Sequence, residues 1–180
     1  MAGRVFAVVG PSGAGKDTLM AEAARLRPDL HIVRRAITRR VAGGTESFDA
    51  VTEEEFLSRK TAGQFVFDWQ AHGRRYGIPR SIDRALSEGR DVLFNGSRAI
   101  VAHAWEEYPG LTVILVTASV PTLARRLAER GRETPVEVAQ RLARAVYEIP
   151  CGPPIRVVEN DGTLASATRA FLGALQPLRI

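Results

Sequence analysis

The stretch from Arg4 to Met20, RVFAVVGPSGAGKDTLM, constrains the fold more than any other part of the chain. Val5 to Val9 form a short apolar, β-rich run that reads as a buried strand and stops at Gly10 and Pro11. From Lys16 the pattern turns helical, with Leu19, Ala23 and Leu26 recurring on one side until Pro28 ends the helix. A strand, a glycine turn and a helix in that order make the setting in which backbone N–H groups and a helix N-terminus grip phosphate. Gly10, Gly15 and Lys16 fit the spacing G-x-x-x-x-G-K, which places Lys16 at β- and γ-phosphates. The ATP-binding set read from this loop is Gly10, Pro11, Ser12, Gly13, Ala14, Gly15, Lys16, Asp17 and Thr18.

One position departs from that pattern. The residue after the lysine ordinarily offers a hydroxyl to Mg²⁺, and here it is Asp17, with Thr18 one step late. A carboxylate oxygen suits a hard cation, so Asp17 is the metal candidate, directly or through water. The alternative, in which Asp17 caps the helix and Thr18 or water meets the metal, stays open.

The rest of the chain repeats the alternation. Asp91–Asn95 and Leu111–Thr117 read as buried parallel strands, each followed by a helical pattern, from about Arg98 to Glu107 and then through Val120, Leu123 and Leu127. Pro154–Asn160 makes another strand, and a last helix carries Leu164, Thr168, Phe171 and Leu175 on one face. Strands alternating with helices predict an α/β fold, a doubly wound and mainly parallel sheet with helices on both faces. The segment of about 34–90 breaks the rhythm and reads as an insertion, with a short acidic helix at TEEEFLSRK and a polar aromatic region at FVFDWQAHGRRYGIP. Core 1–33 and 91–180, this insertion, and a lid at about 129–137 together make one domain, which suits 180 residues.

The formal charge of +5 favours anionic partners. Almost all the basic residues are arginine, Lys16 and Lys60 being the only lysines. Basic and aromatic residues are not interleaved as in single-strand binders, so nucleic acid is not the expected partner. A single cysteine, Cys151, excludes an internal disulfide, and no apolar run is long enough for a leader or a membrane span, so a cytoplasmic setting is expected. The oligomeric state is not fixed by sequence, and a homodimer is compatible with it.

Arginine clusters are the second constellation, because arginine pairs bidentately with phosphate and keeps its charge. Arg34, Arg35, Arg39 and Arg40 lie in the insertion, Arg74 and Arg75 farther on, and Arg98 just beyond the strand ending LFNGS. Arg39 and Arg98 stand out, since each follows a polar turn at a strand end, where ligands of open α/β sheets bind. A solvated basic face is the alternative for each. Two helical patterns flank RGRE between Arg126 and Ala145, and a hairpin of this kind carrying Arg130, Arg132 and Arg141 suits a lid over transferring phosphates. His72 lies in a polar loop that can meet an acceptor, and Asn160-Asp161-Gly162 is a turn after the last strand, where a nucleotide base can approach.

VVGPSGAGK, Thr38-Arg39, Tyr76-Gly77, RL–RGRET and V-END together resemble the guanylate-kinase-type P-loop kinases over nearly the whole length. The resemblance implies ATP and Mg²⁺ as cofactors, Lys16, Arg130, Arg132 and Arg141 as catalytic residues, and Asn160 and Asp161 beside the nucleotide. It puts the acceptor at Arg35, Thr38, Arg39, Trp69, His72, Tyr76, Ser97 and Arg98. The chain departs from that family at TRRVAGGTESFDAV, with Ala42 and Phe48 near an expected arginine and tyrosine, and at LFNGSR, where a guanine-reading strand ends in aspartates. A guanine pocket without carboxylates loses much of its discrimination, so GMP is the wrong acceptor. GKD, FDAV, WQAHG-RYGIP and NGSR are similar instead to the branch of that family that acts in phosphonate catabolism. That resemblance implies a phosphorylated sugar, ribose 1,5-bisphosphate, as acceptor and 5-phosphoribosyl 1-diphosphate as product. A nucleoside monophosphate kinase and a non-catalytic interaction module are the rival expectations.

Overall fold

The computed structural model describes residues 3–39, 48–129 and 152–177. Strand β1 (Val5–Val9) leads into helix α1 (Lys16–Leu26), followed by short strands β2 (His31–Ile32), β3 (Ala36–Ile37) and β4 (Asp49–Ala50). Helix α2 (Glu53–Thr61), strands β5 (Phe65–Ala71) and β6 (Arg74–Pro79) and helix α3 (Ile82–Ser87) come next. Then follow β7 (Val92–Asn95), a 3₁₀ turn at Arg98–Ile100, α4 (Val101–Glu107), β8 (Thr112–Thr117), α5 (Val120–Glu129), β9 (Ile155–Glu159) and α6 (Leu164–Ala174).

Five strands form an all-parallel sheet in the order β2-β7-β1-β8-β9. Successive side chains of a strand point to opposite faces, and both faces of β1, β7 and β8 are covered, which is why these strands read as apolar runs, while Ile155 and Val157 of the edge strand β9 are exposed. Phe6 and Val8 of β1 pack against Leu19 and Ala23 of α1 and Phe171 of α6. Val5, Ala7 and Val9 face the other way, toward Ile82 of α3 and Val101 and Ala104 of α4. The expected inward faces of α1, α5 and α6 hold except at Leu26, Val120 and Leu164, which are exposed. Each is the terminal residue of its helix, flanked by loop instead of a further packed turn.

A second sheet, β4-β3-β6-β5, stands beside the first. Helix α2 adjoins it behind a capping box, in which the Thr52 hydroxyl accepts from Glu55 N–H and the Glu55 carboxylate accepts from Thr52 N–H. The polar aromatic region of the sequence is the β5–β6 hairpin. Its burial runs along its length, with Phe65, Val66, Phe67 and Ile78 enclosed at the root and Gln70, His72, Gly73 and Arg74 exposed at the tip. No clean alternation of period two is therefore written there. The root joins the core: Phe67 lies against Phe94 of β7, ring centroids 5.8 Å apart. That contact fixes the second sheet relative to the end of β7.

Candidate active site

The glycine loop has the geometry its spacing predicts. Gly10, Gly13 and Gly15 adopt φ of 145°, 87° and 93°, values that side chains with a Cβ rarely take. A Cβ on Gly10 would lie 2.0 Å from the Val116 carbonyl oxygen, and one on Gly15 would lie 2.4 Å from Asn160 Nδ2. The loop thus runs in close contact with β8 and with the turn after β9. Gly15 is also the N-cap of α1, which has no side-chain cap, so its first-turn N–H groups are left for an anion held by the loop. Lys16 Nζ donates to the carbonyls of Gly10 at 2.9 Å and Pro11 at 3.0 Å, curling back across the loop.

Residues from far along the chain brace the loop from behind. Asn160, buried, donates from Nδ2 to the Ala14 carbonyl at 2.8 Å. Arg126 of α5 donates from Nη2 to the Asn160 carbonyl at 2.8 Å and from Nη1 to the Gly13 carbonyl at 3.4 Å. Asp161 turns to the start of α5, where its carboxylate accepts from the Ser119 N–H at 2.9 Å and the Ser119 hydroxyl at 2.7 Å. The Ser119 bonds hold its pKa below the usual carboxylate value.

The residues expected to meet the acceptor lie on the second sheet and at the end of β7. Trp69 and Tyr76 are cross-strand partners whose rings stack with centroids 5.2 Å apart and planes 8° apart. The Arg35 guanidinium sits 5.4 Å from the Tyr76 ring centroid and 6.0 Å from that of Trp69, within cation–π range. Arg35 is only 8% exposed, and its Nη1 donates to the Asn95 carbonyl at 2.8 Å. Thr38 accepts from the Arg75 N–H at 2.8 Å, and Arg39 lies 4.1 Å over the Phe48 ring. His72 and Gly73, both with positive φ, form the two-residue turn of the hairpin. Ser97 caps the 3₁₀ turn that begins with Arg98, whose side chain is exposed. Arg40, Arg130, Arg132, Arg141 and Cys151 lie outside the described residues.

An open cleft of about 490 Å³ is lined by Thr38, Arg39, Ala50–Glu53, Glu55 and Gly73. No residue of the glycine loop lines it, and Glu53 is ion-paired with Arg75 while Glu55 closes the capping box, so it is not the phosphate-transfer site by itself. Among the described residues no three His, Cys, Asp or Glu side chains cluster as a metal cage. Magnesium seldom needs one, since it commonly takes one or two carboxylates, several waters and the substrate phosphates. Asp17, at the first turn of α1, meets that requirement.

Asn95 and Arg126 are the residues that motif reading passed over. Asn95 was visible as a polar residue ending an apolar strand; Arg126 carried no local signal at all.

A parallel sheet with a formed phosphate loop at its centre, faced by an arginine-bearing second sheet, defines a phosphotransferase of guanylate-kinase-like fold. A guanylate kinase from Anaplasma phagocytophilum shares that fold with a TM-score of 0.66 at 17% identity, over 96% of this chain and 85% of that one. A gluconokinase from Sinorhizobium meliloti 1021 does so with a TM-score of 0.56 at 20% identity, over 97% of this chain and 91% of that one. No family model matches the chain. Full-length similarity is found to proteins named ribose 1,5-bisphosphate phosphokinase PhnN. The one from Brucella melitensis is 41% identical over 182 residues, covering 99% of this chain and 94% of the relative. The one from Ruegeria is 46% identical over 166 residues, covering 92% and 87%. The chain is also 45% identical over 175 residues to a bifunctional ribose 1,5-bisphosphokinase-thymidine phosphorylase of Cupriavidus necator; it spans 97% of its own length there and 29% of that protein's. The chain belongs to the ribose 1,5-bisphosphate phosphokinase family.

Proposed function

We infer that this chain transfers the γ-phosphoryl group of ATP to the anomeric phosphate of ribose 1,5-bisphosphate, giving ADP and 5-phospho-α-D-ribose 1-diphosphate. The observation that carries the reading is the pairing of an intact phosphate loop, Lys16 included, with a full-length resemblance to kinases of that name.

The chemistry asks for charge and alignment. An anomeric phosphate oxygen forms the new P–O bond while the bond from the γ-phosphorus to the β,γ-bridging oxygen breaks. The attacking group is already ionised near neutral pH, with a second pKa near 6 for a phosphate ester, so no general base is required. The obstacle is bringing two polyanions together. Unit charges 4 Å apart repel by about 4 kcal/mol at an effective dielectric constant of 20, and these substrates carry several each. Lys16, the loop N–H groups and the α1 N-terminus neutralise the donor side. Arg39, Arg98 and the Arg35 platform on Trp69 and Tyr76 serve the acceptor side, with Thr38, Ser97 and His72 as polar contacts. Arg130, Arg132 and Arg141 complete the charge neutralisation from the lid. Asp17 would hold magnesium, directly or through water, and the ion would supply further positive charge against the donor phosphates. Asn160 and Asp161 lie at the nucleotide end. The setting proposed is the cytoplasm, on the strength of the lone Cys151; among the described residues no helix is long and apolar enough to cross a membrane.

Phosphorus NMR of the protein with ATP, magnesium and, in parallel, ribose 1,5-bisphosphate, GMP or AMP tests this. A new coupled diphosphate pair is expected with the sugar alone. Turnover of GMP with an inert sugar bisphosphate would overturn it.

A further inference from the structure

P-loop enzymes commonly meet magnesium with a hydroxyl, next to the loop lysine, and an aspartate from a strand end. Here the carboxylate stands beside the lysine and the strand end lacks one. The residue after Lys16 is a carboxylate, Asp17, and β7, the parallel neighbour of β1, ends in an amide, Asn95. The pair is in contact: Asn95 Nδ2 donates to Asp17 Oδ1 at 2.5 Å. Asn95 is 7% exposed and held in register with Val8 of β1, while its carbonyl accepts from Arg35. Among the described residues Asp17 Oδ2 has no partner.

We propose that Asn95 is a positioning residue that fixes Asp17 through Oδ1 and leaves Oδ2 to the magnesium of bound ATP, the single carboxylate having moved from the strand to the helix. The physical reason for an amide follows. A carboxylate at 95 would stand against that of Asp17 with no proton between them, and one of the two would have to move or be neutralised. An apolar residue would leave Oδ1 without its donor. Only one of the two positions can carry the charge. Because the Asn95 carbonyl is tied to Arg35, the same residue joins the metal side of the loop to the acceptor platform.

The inference rests on magnesium–ATP as donor, and its test needs no acceptor. Calorimetry of ATP binding, in magnesium and in EDTA, measures how much the metal tightens the nucleotide; Mn²⁺ titration by electron paramagnetic resonance reads the ion itself. Asp17→Ser should lose about 10-fold of the metal-dependent gain, and Asn95→Ala a comparable amount, with affinity in EDTA little changed. The exchange Asp17→Ser with Asn95→Asp should bring the gain back to within about 3-fold of the parent, since the carboxylate then sits at the usual position. A parental metal dependence in either single variant overturns the proposal, as does a folded exchange variant no better than Asp17→Ser. Should the exchange variant not fold, the two single variants decide. A failure here with normal sugar phosphorylation removes only this inference; normal metal linkage without sugar phosphorylation removes only the acceptor assignment.

Discussion

Asn160→Ala separates two roles for a residue placed next to the nucleotide loop. Its Nδ2 donates to the carbonyl of Ala14, and both residues are buried, Ala14 completely. Truncation leaves that carbonyl without a donor and without water. A buried acceptor in that state costs about 1–3 kcal/mol. The bonds of Arg126 go to the main-chain carbonyls of Asn160 and Gly13, so they survive the substitution and add nothing to the loss. Taking about 2 kcal/mol as the centre, a chain of this size should melt about 4–8 °C lower. ATP affinity should fall as well, because part of the binding free energy must then reorder the loop; about 30-fold is the ceiling if the whole 2 kcal/mol is charged to binding. Thermal denaturation by circular dichroism without nucleotide, alongside calorimetry with ATP, supplies both numbers. An unchanged melting temperature with a tenfold loss of ATP affinity would refute the reasoning, since Asn160 would then act on the nucleotide directly.

Three further substitutions have expected outcomes. Lys16→Met should reduce kcat at least about 100-fold, the usual loss for one charge-stabilising donor, while Arg98→Ala should raise the acceptor KM with ATP affinity unchanged; unchanged acceptor kinetics would remove Arg98 from the site. His31 has its pKa lowered, first by burial and then by Arg90. The unfolded chain binds the proton at higher pH than the folded one, so this stability is complete above about pH 6.5 and is lost as the pH falls toward the folded pKa. His31→Gln should flatten that acid-side decline in a pH series of melting temperatures, and an identical slope would dismiss the histidine as its source.

Legibility in the sequence followed the range of the interactions. The glycine loop was readable because its requirements are local: an apolar strand, φ > 0 at glycine, a helix start with Lys16 and Asp17 at its head. Helix α2 was readable at TEEEFLSRK, a short acidic stretch whose cap is equally local. The β5–β6 hairpin was not readable as strands, since its burial changes from root to tip and leaves no alternation. Strand β2, two residues long, and α3, six residues long, give periodicity too little length to register.

The site divides along the same line. By itself the sequence determined that this chain would build a phosphate loop at the head of a parallel sheet, because strand, turn and helix preferences act over a few residues. Only the tertiary structure decided what that loop leans on. Asn95 meets Asp17 across 78 positions, Arg126 reaches Gly13 across 113 and Asn160 reaches Ala14 across 146. Such pairings leave no periodic trace, since they exist only where sheet packing brings the ends of β1, β7 and β9 to one edge.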